Sequence, residues 1–115
     1  VATYTYYVNT ASTTGGNGTT NATSGGSRAF ASLGDMEAAL DGVSGVWTTS
    51  DDLVIELDNA GGNDTSRIYI TGWTVVPASI TIRAAAGSEH DGKISGSGGY
   101  TLRPTSAGVS PFRFE

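Results

Sequence analysis

Cysteine is absent from this 115-residue chain, so it can form neither a disulfide framework nor a thiolate metal site. The redox compartment therefore leaves no mark on the sequence. Bases are few: Lys93 and five scattered arginines (Arg28, Arg67, Arg83, Arg103, Arg113) stand against eleven acids, for a formal charge of −5. A nucleic-acid footprint needs clustered Lys and Arg, so no nucleic-acid partner is expected. No run approaches the roughly 18 apolar residues of a membrane span, and membrane insertion is not expected either. No charged segment followed by an apolar one opens the chain, and Val1 fits removal of an initiator Met as well as cleavage of a leader. Proline, Met and Lys are scarce, at three, one and one, against 17 glycines and many Thr and Ser. That balance disfavours a helical bundle and suits short strands joined by tight turns.

What is present is a recurrence of short β-branched segments: LVIEL at 53–57, RIYI at 67–70, ASITIR at 78–83, GKIS at 92–95 and YTLR at 100–103. Each is fenced by Gly, Asn, Asp, Ser or Pro, as strands are. Their centres, continued to Phe112, lie about 8 to 15 residues apart, a spacing shared by all-β sandwiches and parallel β-solenoids. Pro77 lacks an amide donor and marks the start of a strand, and Pro104 and Pro111 bracket a turn. One domain is expected over residues 1–115, since a chain of this length supports a single core.

The opening segment, 1–8, alternates Tyr4, Tyr6 and Val8 with Thr3, Thr5 and Tyr7 and reads as an edge strand. Residues 9–27 hold no apolar side chain larger than Ala and read as a Gly/Thr-rich surface loop or semi-ordered arm. A short amphipathic helix is expected over 32–43. Ser32 with Asp35 has the form of a capping box, and Met36, Ala39, Leu40 and Val43 follow at helical spacing. Gly42 or Gly45 can end it. The remaining residues, 53–115, carry the strands.

The succession TYYVNTAS, GGNGTT, SRAFASLGDMEAAL, DDLVIELD and ITIRAAAGSEHDGKISGSGGYTLRP resembles the N-terminal part of right-handed parallel β-helix proteins of the pectate-lyase-like type. The resemblance implies a mainly β fold: a solenoid whose mouth is capped by the short helix through Ser32, Asp35, Met36, Leu40 and Val43, with LVIEL opening the first coil. An antiparallel β-sandwich is the alternative. Such chains occur in phage and other virion surface proteins and in secreted polysaccharide lyases and hydrolases, so a virion or extracellular location is implied. They usually run to several hundred residues. This one is therefore expected to be part of a longer chain, or to have its last strands completed by other copies of itself or by a larger surface assembly.

Candidate chemistry is sparse. His90, the sole histidine, lies between Glu89 and Asp91 in a turn segment where the solvated reading outweighs a general base or ligand. Asp51, Asp52, Asp58 and Asp64 invite a calcium or acid-pair reading, with Asp58 and Asp64 flanking the NAGGN turn. The spacing of a DxDxDG loop is missing, so no cofactor is expected, and turn-capping carboxylates are the favoured reading. No catalytic residue is assigned. Trp73 and Tyr100 are candidate sugar-stacking residues, weighed against a core role for Trp47 and Trp73. The sequons at Asn17, Asn21 and Asn63 are unremarkable in so Thr-rich a chain. The expected function is a non-catalytic structural or adhesive module. The alternatives are the N-terminal portion of a polysaccharide lyase or hydrolase, and a carbohydrate-binding module.

Overall fold

The structure is a computed structural model that describes residues 1–62, 64, 68–70, 73–85 and 112–114, the segments 68–70 and 112–114 by their backbone. Six elements follow in order: β1 (Thr3–Asn9), α1 (Leu33–Asp41), β2 (Asp52–Asp58), β3 (Ile68–Ile70), β4 (Ser79–Ala84) and β5 (Phe112–Phe114). The expected segments 92–95 and 100–103, with His90 and Tyr100, lie outside the described residues. The protein is mainly β, with a small open parallel sheet of order β1-β2-β4, a second parallel pair β3-β5 and one short helix. Every ladder among the described residues is parallel, which is not the pairing of an antiparallel sandwich. No helix among these residues is long and apolar enough to cross a membrane.

The register sorts side chains by face. Tyr4 pairs with Leu53 and Leu53 with Ile80; Tyr6 pairs with Ile55 and Ile55 with Ile82; Val8 pairs with Leu57 and Leu57 with Ala84. These three apolar rows point inward, because alternate residues of a strand share a face. Val8, Leu53 and Ile55 are fully buried there. Burying a side chain of this size contributes about 1.5 to 3 kcal/mol relative to leaving it in water. The alternate residues form an outer face of Thr3, Thr5, Tyr7, Val54, Glu56, Ser79, Thr81 and Arg83.

The helix covers the inner face with Leu33, Met36 and Leu40, all buried. Ser32 caps it in an extended conformation, its Oγ accepting the Asp35 amide at 3.0 Å. The expected span 32–43 is shortened to 33–41, because Gly42 (φ −92°, ψ 2°) ends the helix. Val43 lies beyond the last turn yet still packs on the core. The reciprocal half of a capping box is also replaced, since the short Asp35 carboxylate receives Thr14 Oγ1 at 3.1 Å. A second cap comes from far along the chain: Asp64 Oδ2 accepts the Leu33 amide at 2.6 Å.

Residues 9–27, from the end of β1 onward, form a surface loop of turns and bends. They fold back along the free edge of β1, where Tyr7 N–H donates to Gly18 O at 2.8 Å, Phe30 N–H to Tyr7 O at 2.9 Å and Asn9 N–H to Phe30 O at 2.8 Å. Val8 and Phe30 form a parallel bridge. Arg28 holds the loop from inside, its guanidinium donating to the carbonyls of Thr13, Thr14 and Gly25. The buried Ser12 hydroxyl donates to Ala29 O at 2.7 Å. A strand edge that would otherwise offer its amides to any passing strand is covered over Tyr7–Asn9 by the chain's own backbone.

Candidate functional site

Most of the polar side chains singled out in the sequence hold the fold together. Asp51 ties the start of the chain to its own turn: Oδ1 accepts the Ala2 amide at 2.8 Å, and Oδ2 accepts the Thr48 amide at 2.9 Å and its hydroxyl at 3.1 Å. Those backbone amides, Ala2 first and Thr48 second, hold the Asp51 carboxyl below the usual carboxylate range against the opposing effect of desolvation. Asp58 closes its own turn through Ala60 N–H at 3.0 Å and receives Asn21 Nδ2 at 2.9 Å. Asp52 receives Ser79 Oγ at 2.6 Å from the neighbouring strand. Asp51 and Asp58 accept amides in their own turns, Asp52 bonds across the sheet, and Asp64 accepts the Leu33 amide at the start of α1. Among the described residues no three His, Cys, Asp or Glu side chains gather to hold a metal ion.

The aromatic residues divide in the same way. Phe30, Tyr6, Trp47 and Trp73 form a continuous interior chain, with ring centroids 6.2 Å, 6.0 Å and 6.2 Å apart along it. Such offset and edge contacts add to area burial. Trp73, a sugar-stacking candidate, is 6 % exposed and its indole N–H donates to Glu37 Oε1 at 3.2 Å. Trp47 is buried likewise and donates to Val75 O at 2.9 Å. Both rings belong to the core. Burial also pushes the Tyr6 hydroxyl above its usual pKa, with a smaller push from Tyr4. Ser32 caps the helix, Met36 and Leu40 are buried beneath it, and Val43 packs on the core from beyond its end.

Two surfaces stand out among the described residues. The first is a groove between the loop at 14–19 and α1. One lobe, of about 370 Å³, is lined by Tyr6, Phe30, Leu40, Val43 and Val46 under Asn17 and Thr19. The other, of about 340 Å³, lies between Gly15, Gly16, Asp35 and Ala38. Phe30 and Ala39 line both lobes. Val46 is 45 % exposed at its mouth. The second surface is the outer face of the sheet, where Arg83 Nε and Nη2 donate to Glu56 Oε1 at 3.0 and 2.8 Å beside the exposed Ser79 and Thr81. Side chains of this kind recognise other surfaces by hydrogen bonds and shape.

Arg28, Asp51 and Asp64 carry more of the architecture than their sequence context announces. A lone Arg at the end of a long polar stretch is the one cue that points to Arg28, since its fork of donors needs carbonyls somewhere. Compared with family models, curated proteins and solved structures, the chain matches none of them.

Proposed function

We propose that this chain is a structural or adhesive module built as the capped beginning of a parallel β-solenoid, working as part of a larger virion or extracellular surface assembly. The observation that carries the reading is the alternation of its strands. β2 and β4 pair in one sheet, β3 and β5 in another, and both pairs are parallel. Successive turns stacked on each other would lay their strands alternately in two parallel sheets, and this order supports the reading. The β1 side carries its own cover in residues 9–30, so stacking proceeds from β1 towards β4.

Several charged groups among the described residues support a structural role, because they are engaged in capping and cross-strand contacts: Asp51 with Ala2 and Thr48, Asp64 with Leu33, Glu56 with Arg83. The partners implied are other copies of the chain or the remainder of the assembly, with polysaccharide as a surface ligand. Light scattering and electron microscopy of the purified chain test this. Association into a defined oligomer, or docking onto a larger particle, is expected. A free, stable monomer would count heavily against it. Degradation of a polysaccharide panel by a parent chain would favour the lyase or hydrolase portion instead, provided that substitutions outside these residues abolish it.

A further inference from the structure

We propose that Asn17 is a latent modification site whose side-chain amide converts through a succinimide to aspartate or isoaspartate, and that the folded loop holds this reaction shut. Asn17–Gly18 is the one Asn–Gly pair in the sequence. Glycine matters because no Cβ shields the nitrogen of residue 18 from the carboxamide carbon of residue 17.

In the reaction the Gly18 N–H loses its proton to hydroxide and the nitrogen lone pair forms a bond to Asn17 Cγ. The Cγ–Nδ2 bond then breaks, and Nδ2 takes a proton from water and leaves as ammonia. Water opens the resulting ring at either carbonyl, giving aspartate, or isoaspartate in which the main chain runs through the former side chain. Water and hydroxide are the only co-reactants.

The structure holds each participant. Gly18 N–H donates to Arg28 O at 3.0 Å, so its nitrogen must give up that bond before it can attack. Asn17 Oδ1 accepts from Thr19 N–H at 3.1 Å and Thr19 Oγ1 at 2.7 Å. The hydroxyl polarises the carboxamide, which leaves the Gly18–Arg28 bond as the gate. Gly18 is itself buried at φ +75°, where a Cβ would collide with the Phe30 ring. Arg28 guards the gate through its side chain, whose Nε donates to Thr13 O at 3.0 Å and Nη1 to Gly25 O at 2.8 Å.

The product would change the edge of the sheet. Asn17 N–H donates to Gly26 O at 3.1 Å, Gly18 N–H to Arg28 O, and Gly18 O receives Tyr7 N–H. Isoaspartate inserts one more carbon into the main chain between these donors. They can no longer meet residues 26 and 28 in register, and the β1 edge at Tyr7 loses its cover.

The test compares the full chain with a synthetic peptide spanning Thr13 to Ala22 at mildly alkaline pH, reading amide-to-acid conversion and isoaspartate by peptide mapping. Conversion in the folded chain should be slower by about tenfold or more, because it waits on local opening. Arg28→Ala should bring it towards the peptide rate, and Asn17→Gln should abolish the signal. Equal rates in chain and peptide, or no acceleration by Arg28→Ala, would overturn the proposal. Because Arg28→Ala can unfold the chain as a whole, hydrogen exchange of the Gly18 amide in the parent protein supplies a second measurement. Its protection should match the slowing of conversion, and slowing without protection would sink the gate. In chains aged to isoaspartate the Tyr7 amide should exchange freely; retained protection there would refute the opening of the edge.

Discussion

Asp64 reaches back across 31 residues to accept the backbone amide of Leu33 at 2.6 Å, fastening the connection after β2 to the first turn of α1. Asp64 is 3 % exposed, and Leu33 is fully buried. A buried amide at a helix start has no intrahelical partner, so its acceptor must come from elsewhere. Replacing Asp64 by Ala should destabilise the fold by about 1 to 3 kcal/mol, the range for stranding a buried donor. A fall in the urea midpoint with an unchanged slope is the expected readout, with Asp64→Asn, which keeps an acceptor, losing less.

Asp51 makes stability depend on acid. Its folded carboxyl titrates below the ordinary Asp value because the Ala2 and Thr48 amides favour the charged form. Its contribution is therefore complete above the unfolded-state pKa and disappears as pH falls through the folded one. Melting temperatures recorded from neutral to strongly acid solution should decline in that window. Asp51→Asn should melt lower at neutral pH and lose less of its stability on acidification.

Neighbouring positions on β2 should respond unequally. Ile55 is fully buried on the inner face, whereas Val54 is half-buried on the outer one. Ile55→Ala should cost about 2 to 5 kcal/mol, as expected for a core truncation that leaves a cavity. Val54→Ala should cost well under half as much, and chemical denaturation of the two variants compares them directly.

Gly18→Ala should loosen the loop over the β1 edge. The position combines φ +75° with a missing Cβ whose place is filled by Phe30. An L-residue there costs about 1 to 3 kcal/mol in backbone strain before the collision is counted. Faster hydrogen exchange at the Tyr7 and Asn9 amides, ahead of global unfolding, is the expected signature.

The Glu56–Arg83 pair should matter little to stability. Its side chains are 23 % and 57 % exposed, so solvent screens the 2.8 Å contact. A double-mutant cycle should return about 0 to 1 kcal/mol, falling further in high salt.

Periodicity was enough to place β1, α1, β2 and β4, because each spans several residues in which apolar side chains recur at strand or helix spacing. The inward set Tyr4, Tyr6 and Val8 followed from alternation alone. The Ser32 cap was equally legible, as a hydroxyl three residues before an amide that needs it. Helix length was less so: Val43 continues the apolar spacing, but Gly42 stops the helix first, and Val43 reaches the core from a turn. For Trp73 composition left a sugar platform and a core role open, and burial beside Trp47 favours the core.

The sequence by itself determined which residues turn inward and where the helix begins, because these depend on residue type and local spacing. Only the tertiary structure decided that the polar loop folds along β1 and that Arg28, Asp51 and Asp64 tie distant segments. Those ties end on backbone amides and carbonyls. Every residue but proline carries both groups, so nothing in the order of side chains marks which of them a distant carboxylate or guanidinium will find.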